Sequence, residues 1–323
     1  MTWFEAYERS LLPLLAPAEM FGLLTSVEAS GMLAALRTAS TAEDIAVTTG
    51  QPPHLVRAVV RALVAHDIAV LEGQKYRLSP DWMVLSDEAA FSPLSVQLAK
   101  ASVDQRSLRS LLDPEDYWTM PPEDRLVVAR AVSPDPFSAG LVESFRAMVA
   151  ADPDQEVLTR GGTHLELGCG VAGRILTTLQ AVPAMRAIGV EISPDLAAVA
   201  QERAERLGVS ERFEVVVGDV ADFAREGCAD TAFWSQFFFP EPSRAGDLAA
   251  ALRALKPGGV LTATLIGTVQ DERAVALSEV SLAGWGVPSR TGDELVDEVT
   301  RAGFAEATIV DRGGLVRVRA IRP

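Results

Sequence analysis

From Gly161 to the C-terminus, apolar runs of strand length alternate with segments of helical spacing. No other feature constrains the fold as much, because strand–helix alternation at this spacing builds a parallel sheet covered on both faces. The candidate strands are Thr163–Leu167, Arg186–Glu191, Arg212–Val217, Asp230–Trp234 and Gly259–Ile266. The candidate helices are Ala172–Gln180, Pro194–Leu207, Val220–Ala224 and Ser243–Leu255. The chain ends differently: after a helix at Thr291–Ala302, strands Phe304–Val310 and Leu315–Ile321 flank Asp311-Arg312-Gly313-Gly314. A Gly-rich turn of that length makes an antiparallel hairpin. The expectation is an α/β fold, a doubly wound seven-stranded sheet with an antiparallel hairpin at its C-terminal edge.

Open sheets of this kind bind ligands where the strands end. Glu166-Leu167-Gly168-Cys169-Gly170-Val171-Ala172-Gly173 joins the first strand to its helix. Its glycines permit a tight turn and close approach of a ligand to the backbone. By itself Gly168-x-Gly170-x-x-Gly173 also fits a dinucleotide fingerprint. Glu166 argues against that, because a carboxylate there would face a pyrophosphate across like charge. It suits a ligand with an amino group and a sulfonium, and S-adenosylmethionine has both. The next strand ends in Glu191, placed to accept from two ribose hydroxyls, with Ile192 after it. The third ends in Gly218-Asp219-Val220, where Asp219 can accept from an adenine amino group and Val220 can pack on the ring. Ser235 follows the fourth strand at the same edge. The plainer reading is that Glu191 and Asp219 only cap the helices behind them.

The first hundred residues read as helical. Thr41–Ala46 carries N-cap chemistry, Gly50–Pro53 is a turn, and His54–His66 puts Leu55, Val59, Ala62 and Leu63 on one face. Ile68–Leu71 and Lys75–Leu78 then make a small hairpin. Helix, turn, helix, hairpin resembles a winged helix, which raises the question of DNA. Charge answers it. Through residue 160 there are 13 basic and 22 acidic side chains, and after it 16 and 22. The candidate recognition helix offers only Arg57 and Arg61. Neither half has the basic field that nucleic-acid binding needs, so no nucleic acid is expected as a partner.

The longest apolar runs fall short of the roughly 20 residues that span a bilayer. The N-terminus lacks a basic segment before an apolar one. No membrane association is expected, and the cytoplasm is the expected location. Cys169 and Cys228, the two cysteines, make neither a disulfide framework nor a zinc site. No metal is expected.

The whole pattern resembles the class I S-adenosylmethionine-dependent methyltransferases, whose sheet is Rossmann-like. Glu166–Gly173 resembles their first motif, Gly189-Val190-Glu191-Ile192 their second, and Gly218-Asp219-Val220 their adenine motif. Leu255-Lys256-Pro257-Gly258-Gly259 is similar to the turn before their fifth strand. The N-terminal winged helix, the connecting helices and Phe145-Arg146-Ala147-Met148 resemble the small-molecule O-methyltransferases of natural-product pathways. That resemblance implies a dimerisation domain at 1–100, connecting helices at 101–155 roofing an acceptor pocket, and a cofactor domain at 156–323. It also implies a homodimer.

One departure bears on the acceptor. That family commonly has a histidine base just after the fourth strand. Here the stretch reads Trp234-Ser235-Gln236-Phe237-Phe238-Phe239-Pro240-Glu241, with the matching position at or beside Phe239. His54, His66 and His164 are the three histidines, so none lies beyond residue 164. A phenol with pKa near ~10 needs a base at neutral pH. An amine or an electron-rich carbon can attack before its proton is lost. The expected reaction is therefore methyl transfer to a small aromatic or apolar acceptor, leaning towards carbon or nitrogen. Oxygen stays open, with Glu241, Tyr117, Glu115 or Asp116 as base. Alternation would put Phe238 opposite Phe237 and Phe239. Trp118, Phe145, Met148 and Trp285 are further candidate pocket walls. Three readings compete: a non-methylating enzyme on the same cofactor, a winged-helix regulator, and a methyltransferase acting on protein or RNA.

Overall fold

The computed structural model describes residues 2–109, 119–265, 272–312 and 315–323. The chain forms two compact units, residues 1–98 and 99–323.

The first unit is mainly helical. Its N-terminal helix runs from Trp3 to Ala29, through a π turn at Tyr7–Leu11. Thr2 and Glu5 cap its start reciprocally. Pro13 falls in the first turn of the Leu12–Ala29 segment, where its missing N–H is no loss. The result corrects an expectation from the sequence: at 27 residues this helix is long and apolar enough to cross a bilayer. Scattered acidic residues and prolines hid its continuity. Gly31 then turns the chain at φ +78°, a left-handed conformation that glycine adopts without penalty.

Helices Ala42–Thr49 and Pro53–Ala65 follow, then β1 (Ala69–Glu72) and β2 (Lys75–Leu78), paired antiparallel. The order helix, turn, helix, hairpin is as expected. The buried face of Pro53–Ala65 is Val56, Val59, Val60 and Leu63, whereas Leu55 is exposed. The expected face was therefore rotated by one position. Arg57 is spent on an ion pair with Glu43 at 2.8 Å.

The second unit holds the sheet. Its strands are β3 (Thr163–Leu167), β4 (Arg186–Glu191), β5 (Phe213–Val217), β6 (Ala229–Trp234), β7 (Leu255–Thr264), β8 (Ala305–Arg312) and β9 (Leu315–Ile321). They lie in the order β5-β4-β3-β6-β7-β9-β8. The first five are parallel, and β9 runs antiparallel to both β7 and β8. The seven-stranded doubly wound sheet with a reversed edge is thus present. Lys256–Gly259, expected as a turn, lies inside β7 as an irregularity opposite Ala229–Thr231. Val220–Asp222, expected as a helix, is a single 3₁₀ turn.

The two faces of the sheet differ. On one, Leu165, Leu167, Ile188, Val190, Ala232 and Trp234 pack against helices Arg244–Ala254 and Gly292–Arg301. The other is apolar under helix Gly173–Ala181, where Ile175, Leu176 and Leu179 join Ala187 and Phe213. Towards β6 and β9 that face turns polar. It carries His164, Glu166, Thr231, Arg317 and Arg319, with Asp152 and Asp154 from the loop above.

Candidate functional site

The turn after β3 is built from backbone constraints. Gly168 has φ +72° and Gly170 φ +54°, both left-handed. Ala172 shares that region at φ +54°, a conformation uncommon for a residue with a Cβ and one that concentrates at functional sites. Gly168 is doubly required, since a Cβ there would sit 2.9 Å from the Phe239 ring. A Cβ on Gly173 would sit 2.3 Å from the Pro134 carbonyl oxygen. The Gly168 and Cys169 N–H groups both donate to the Val190 carbonyl at 3.0 Å. The Gly170 N–H donates to Glu191 Oε2 at 2.7 Å.

The three predicted acids stand at the ends of three adjacent strands, β3, β4 and β5. Glu166 is buried on β3, and its Oε2 has no hydrogen-bond partner. Burial pushes its pKa up to about 8, against the lowering influence of Arg174. Glu191 is also buried, and burial raises its pKa too. Besides Gly170 it accepts from the Ser193 N–H at 2.9 Å, so it ties the glycine turn to the end of β4. Asp219 is exposed and accepts from the Ala221 N–H at 2.9 Å. It therefore does cap the turn behind it, beside the buried Val220. Ile192 is 42% exposed, an apolar side chain left open at the same edge. The Cys169 side chain points into the core, and burial drives its thiol pKa well up, so only its backbone faces the turn.

The segment after β6 is held differently. Gln236–Phe238 is a 3₁₀ turn rather than an extended run, which overturns the expected alternation of the three phenylalanines. Phe239 is buried against Trp234 and Gly168. Phe238 stacks on Trp285, with ring centroids 6.1 Å apart, beside Val103, Met120 and Val128. Phe237 is half-buried. Ser235 closes the end of β6 through its N–H to the Leu167 carbonyl at 3.3 Å.

The anchor of this turn is Arg244, whose side chain is 1% exposed. Its guanidinium donates to both Glu298 oxygens at 2.7 and 2.8 Å and lies over the Trp234 ring. It also donates to the Gln236 carbonyl at 3.0 Å and to Gln236 Oε1 at 3.1 Å. Gln236 in turn donates to the Thr264 carbonyl at 2.9 Å. The sequence reading missed Arg244. Nothing in a single arginine ten residues beyond a strand marks it as buried.

Glu241, a candidate base, is exposed and ion-paired with Arg290 at 2.7 Å. Tyr117, Trp118, Glu115 and Asp116 lie outside the described residues. Phe145 packs on the apolar cluster of helix Gly173–Ala181. Met148 lines a small cavity on the polar sheet face with His164, Arg174 and Arg317. Neither is brought to the turn after β6. His164 is buried, with Nδ1 2.8 Å from Thr231 Oγ1. Burial takes its pKa down to about 3, so it stays neutral. Among the described residues no group of three His, Cys, Asp or Glu is placed to hold a metal ion.

Residues 165–259 match the family model described as a methyltransferase domain. That stretch begins in β3 and ends at the irregularity of β7, so it contains the glycine turn, all three acids and the aromatic turn. The resemblance to class I methyltransferases therefore holds for the fold and for this domain. An erythromycin 3''-O-methyltransferase from Saccharopolyspora erythraea is 29% identical over 128 residues, 39% of this chain and 42% of that protein. The match spans less than half of that relative. Two solved structures extend the likeness to the whole chain. An O-methyltransferase family protein from Burkholderia thailandensis superposes with TM-score 0.73 at 15% identity, covering 97% of each chain. The pyocyanin biosynthetic protein PhzM does so with TM-score 0.73 at 19% identity, covering 98% of this chain and 99% of that one. Both likenesses concern the fold, including the helical N-terminal unit.

Proposed function

We propose that this chain transfers a methyl group from S-adenosylmethionine to a small aromatic or apolar natural-product acceptor, on carbon or nitrogen. One observation carries the cofactor: a buried, unpartnered carboxylate oxygen on Glu166 stands beside a glycine turn, next to Glu191 and Asp219 on neighbouring strands. The residues fit the group. Glu166 would take the ammonium, Glu191 the ribose hydroxyls, Asp219 the adenine amino group, and Ile192 and Val220 the ring. The bound cofactor supplies an electrophilic methyl on a sulfonium, with a neutral thioether leaving.

The chain's own contribution is placement. Positioning a nucleophile against the methyl carbon can supply much of the rate. Phe238 and Trp285 offer a stacked aromatic wall next to Met120 and Val128, from the connecting helices. Such a wall orients a flat acceptor and favours cationic character as its atom is alkylated. Glu241, held by Arg290, is a poor base for an oxygen acceptor. Product NMR with isotopically labelled methyl donor tests the acceptor atom. A C-methyl or N-methyl signal is expected, and a methoxy signal would restore the oxygen reading that the relatives' names favour. In calorimetry S-adenosylhomocysteine should bind, and Asp219→Ala and Glu191→Ala should each weaken it. Activity should survive EDTA.

The partner proposed is a second copy. Trp3, Phe4 and Leu14 on the N-terminal helix are each about 70% exposed, and such apolar surface is normally covered. Sedimentation should give a dimer, and Leu14→Glu should give a monomer. Recruitment to lipid vesicles instead would make this helix a membrane contact.

A further inference from the structure

Arg203 lies in the last turn of helix Pro194–Arg206 and is only 8% exposed. An arginine so deeply buried is normally paired. The carboxylate beside it, Asp135, stands 3.6 Å from one guanidinium nitrogen, too far for a good hydrogen bond. The short contact is made elsewhere: Nη1 donates to the Val171 carbonyl at 3.0 Å. Val171 belongs to the turn after β3, 32 residues back along the chain. Burial takes the pKa of Arg203 down to about 10, so it is a cation at neutral pH, and a charged donor makes the stronger bond.

That carbonyl and the Ala172 N–H are the two ends of one peptide unit. The N–H end donates to the Cys169 carbonyl at 2.8 Å. The unit is thus tied at both ends, once from within the turn and once from helix Pro194–Arg206. Its orientation sets the φ of Ala172, which stands at +54° with ψ 27°. An alanine is strained there, because its Cβ crowds the following carbonyl oxygen. Turning the peptide unit over would relieve that strain and break both bonds. Among the described residues no backbone N–H reaches the Val171 carbonyl, so removing Arg203 leaves one tie of the two. Ala172 also begins helix Gly173–Ala181 with no side-chain cap. Two residues earlier the Gly170 N–H meets Glu191 at 2.7 Å, so the same stretch of backbone also places that acid.

We infer that Arg203 is a positioning residue for the cofactor turn, holding the Val171–Ala172 peptide in the strained orientation that binding requires. This rests on the cofactor reading above and extends it to a side chain that acts through the backbone rather than on the cofactor. Arg203 also joins the turn to the segment before helix Ala139–Ala151. From that segment Asp135 approaches the guanidinium, and the Phe137 ring centre lies 5.7 Å from it.

Calorimetry with S-adenosylhomocysteine in two backgrounds, the wild type and Ala172→Gly, tests this. In the wild-type background Arg203→Met should weaken binding about tenfold or more, the worth of one charge-assisted bond. Arg203→Lys keeps a charged donor and should lose less. In the Ala172→Gly background the loss from Arg203→Met should shrink to about threefold or less, because glycine holds a left-handed conformation unaided and the two sites are coupled. A merely structural arginine would not have its effect erased by that substitution. Arg203→Lys should follow the same order, a loss that Ala172→Gly reduces, and it carries the test should the methionine variant not fold. Losses of equal size in the two backgrounds overturn the inference, as does wild-type affinity in Arg203→Met. Failure of the wild type itself to bind S-adenosylhomocysteine overturns the cofactor reading and the inference with it.

Discussion

The turns after β3 and after β6 meet at one edge of the sheet, where the Phe239 ring covers Gly168, yet they are made by opposite means. The first is a backbone device. Left-handed glycines set its path, and Glu191, 21 residues on, secures it through one N–H. The second contains no glycine at all. Its shape comes from Arg244, which reaches back to Gln236 while Glu298 holds it from a helix 54 residues further along. A turn specified by local backbone chemistry can be recognised from a short motif. A turn specified by a distant ion pair cannot.

The two turns should therefore fail differently. The largest effect is expected from Arg244→Met, which leaves Glu298 and the Gln236 carbonyl without their partner in a buried site. Breaking a buried pair this way costs about 3–5 kcal/mol, visible as a lower midpoint in thermal denaturation. A loss below about 1 kcal/mol would mean the aromatic turn holds itself. Gly168→Ala should cost less, about 1–3 kcal/mol, from left-handed strain plus the collision with Phe239. Its signature is weaker S-adenosylhomocysteine binding, read by calorimetry.

Phe238→Ala separates the turns by function. Acceptor KM should rise about tenfold, the worth of losing an aromatic contact, with S-adenosylhomocysteine affinity unchanged. A parallel loss of cofactor affinity would merge the two turns into one site.

The first turn should also leave its mark on the pH dependence of stability. Glu166 is raised from 4.5 to about 8 in the folded chain, so between those values the folded state holds more proton than the unfolded one. Stability of the ligand-free protein should therefore be greatest below pH 4.5 for this group and decline as pH rises to about 8. Glu166→Gln should flatten that part of a stability–pH curve. A slope that survives the substitution would assign it to another group.

Much of the fold was legible in the sequence because it rests on local rules. Strand–helix alternation, the glycine turn and the final hairpin are patterns of neighbours. The three acids could be placed at the sheet's edge because strand ends are visible in a sequence. What escaped was set by packing. The phenylalanine alternation failed because Gln236, tied to Thr264 and Arg244, curls that segment into a 3₁₀ turn. The buried face of Pro53–Ala65 was misplaced because Leu55 and Val56 are equally apolar, and only the neighbouring elements choose between them. The N-terminal helix escaped because no single apolar run spans it, and only the folded chain joins Trp3 to Ala29 as one helix.

The sequence alone determined the sheet, the glycine turn at its edge, and the acidic balance of both halves. Each follows from residue type and near spacing. The tertiary structure decided which charges are matched. Arg317 and Arg319 found Asp152 and Asp154 165 residues away, and Arg244 found Glu298. Arg174, held over Phe233, has no ion-pair partner among the described residues. Ion pairing depends on a separation of a few ångströms between side chains, and that separation exists only once the strands are in register.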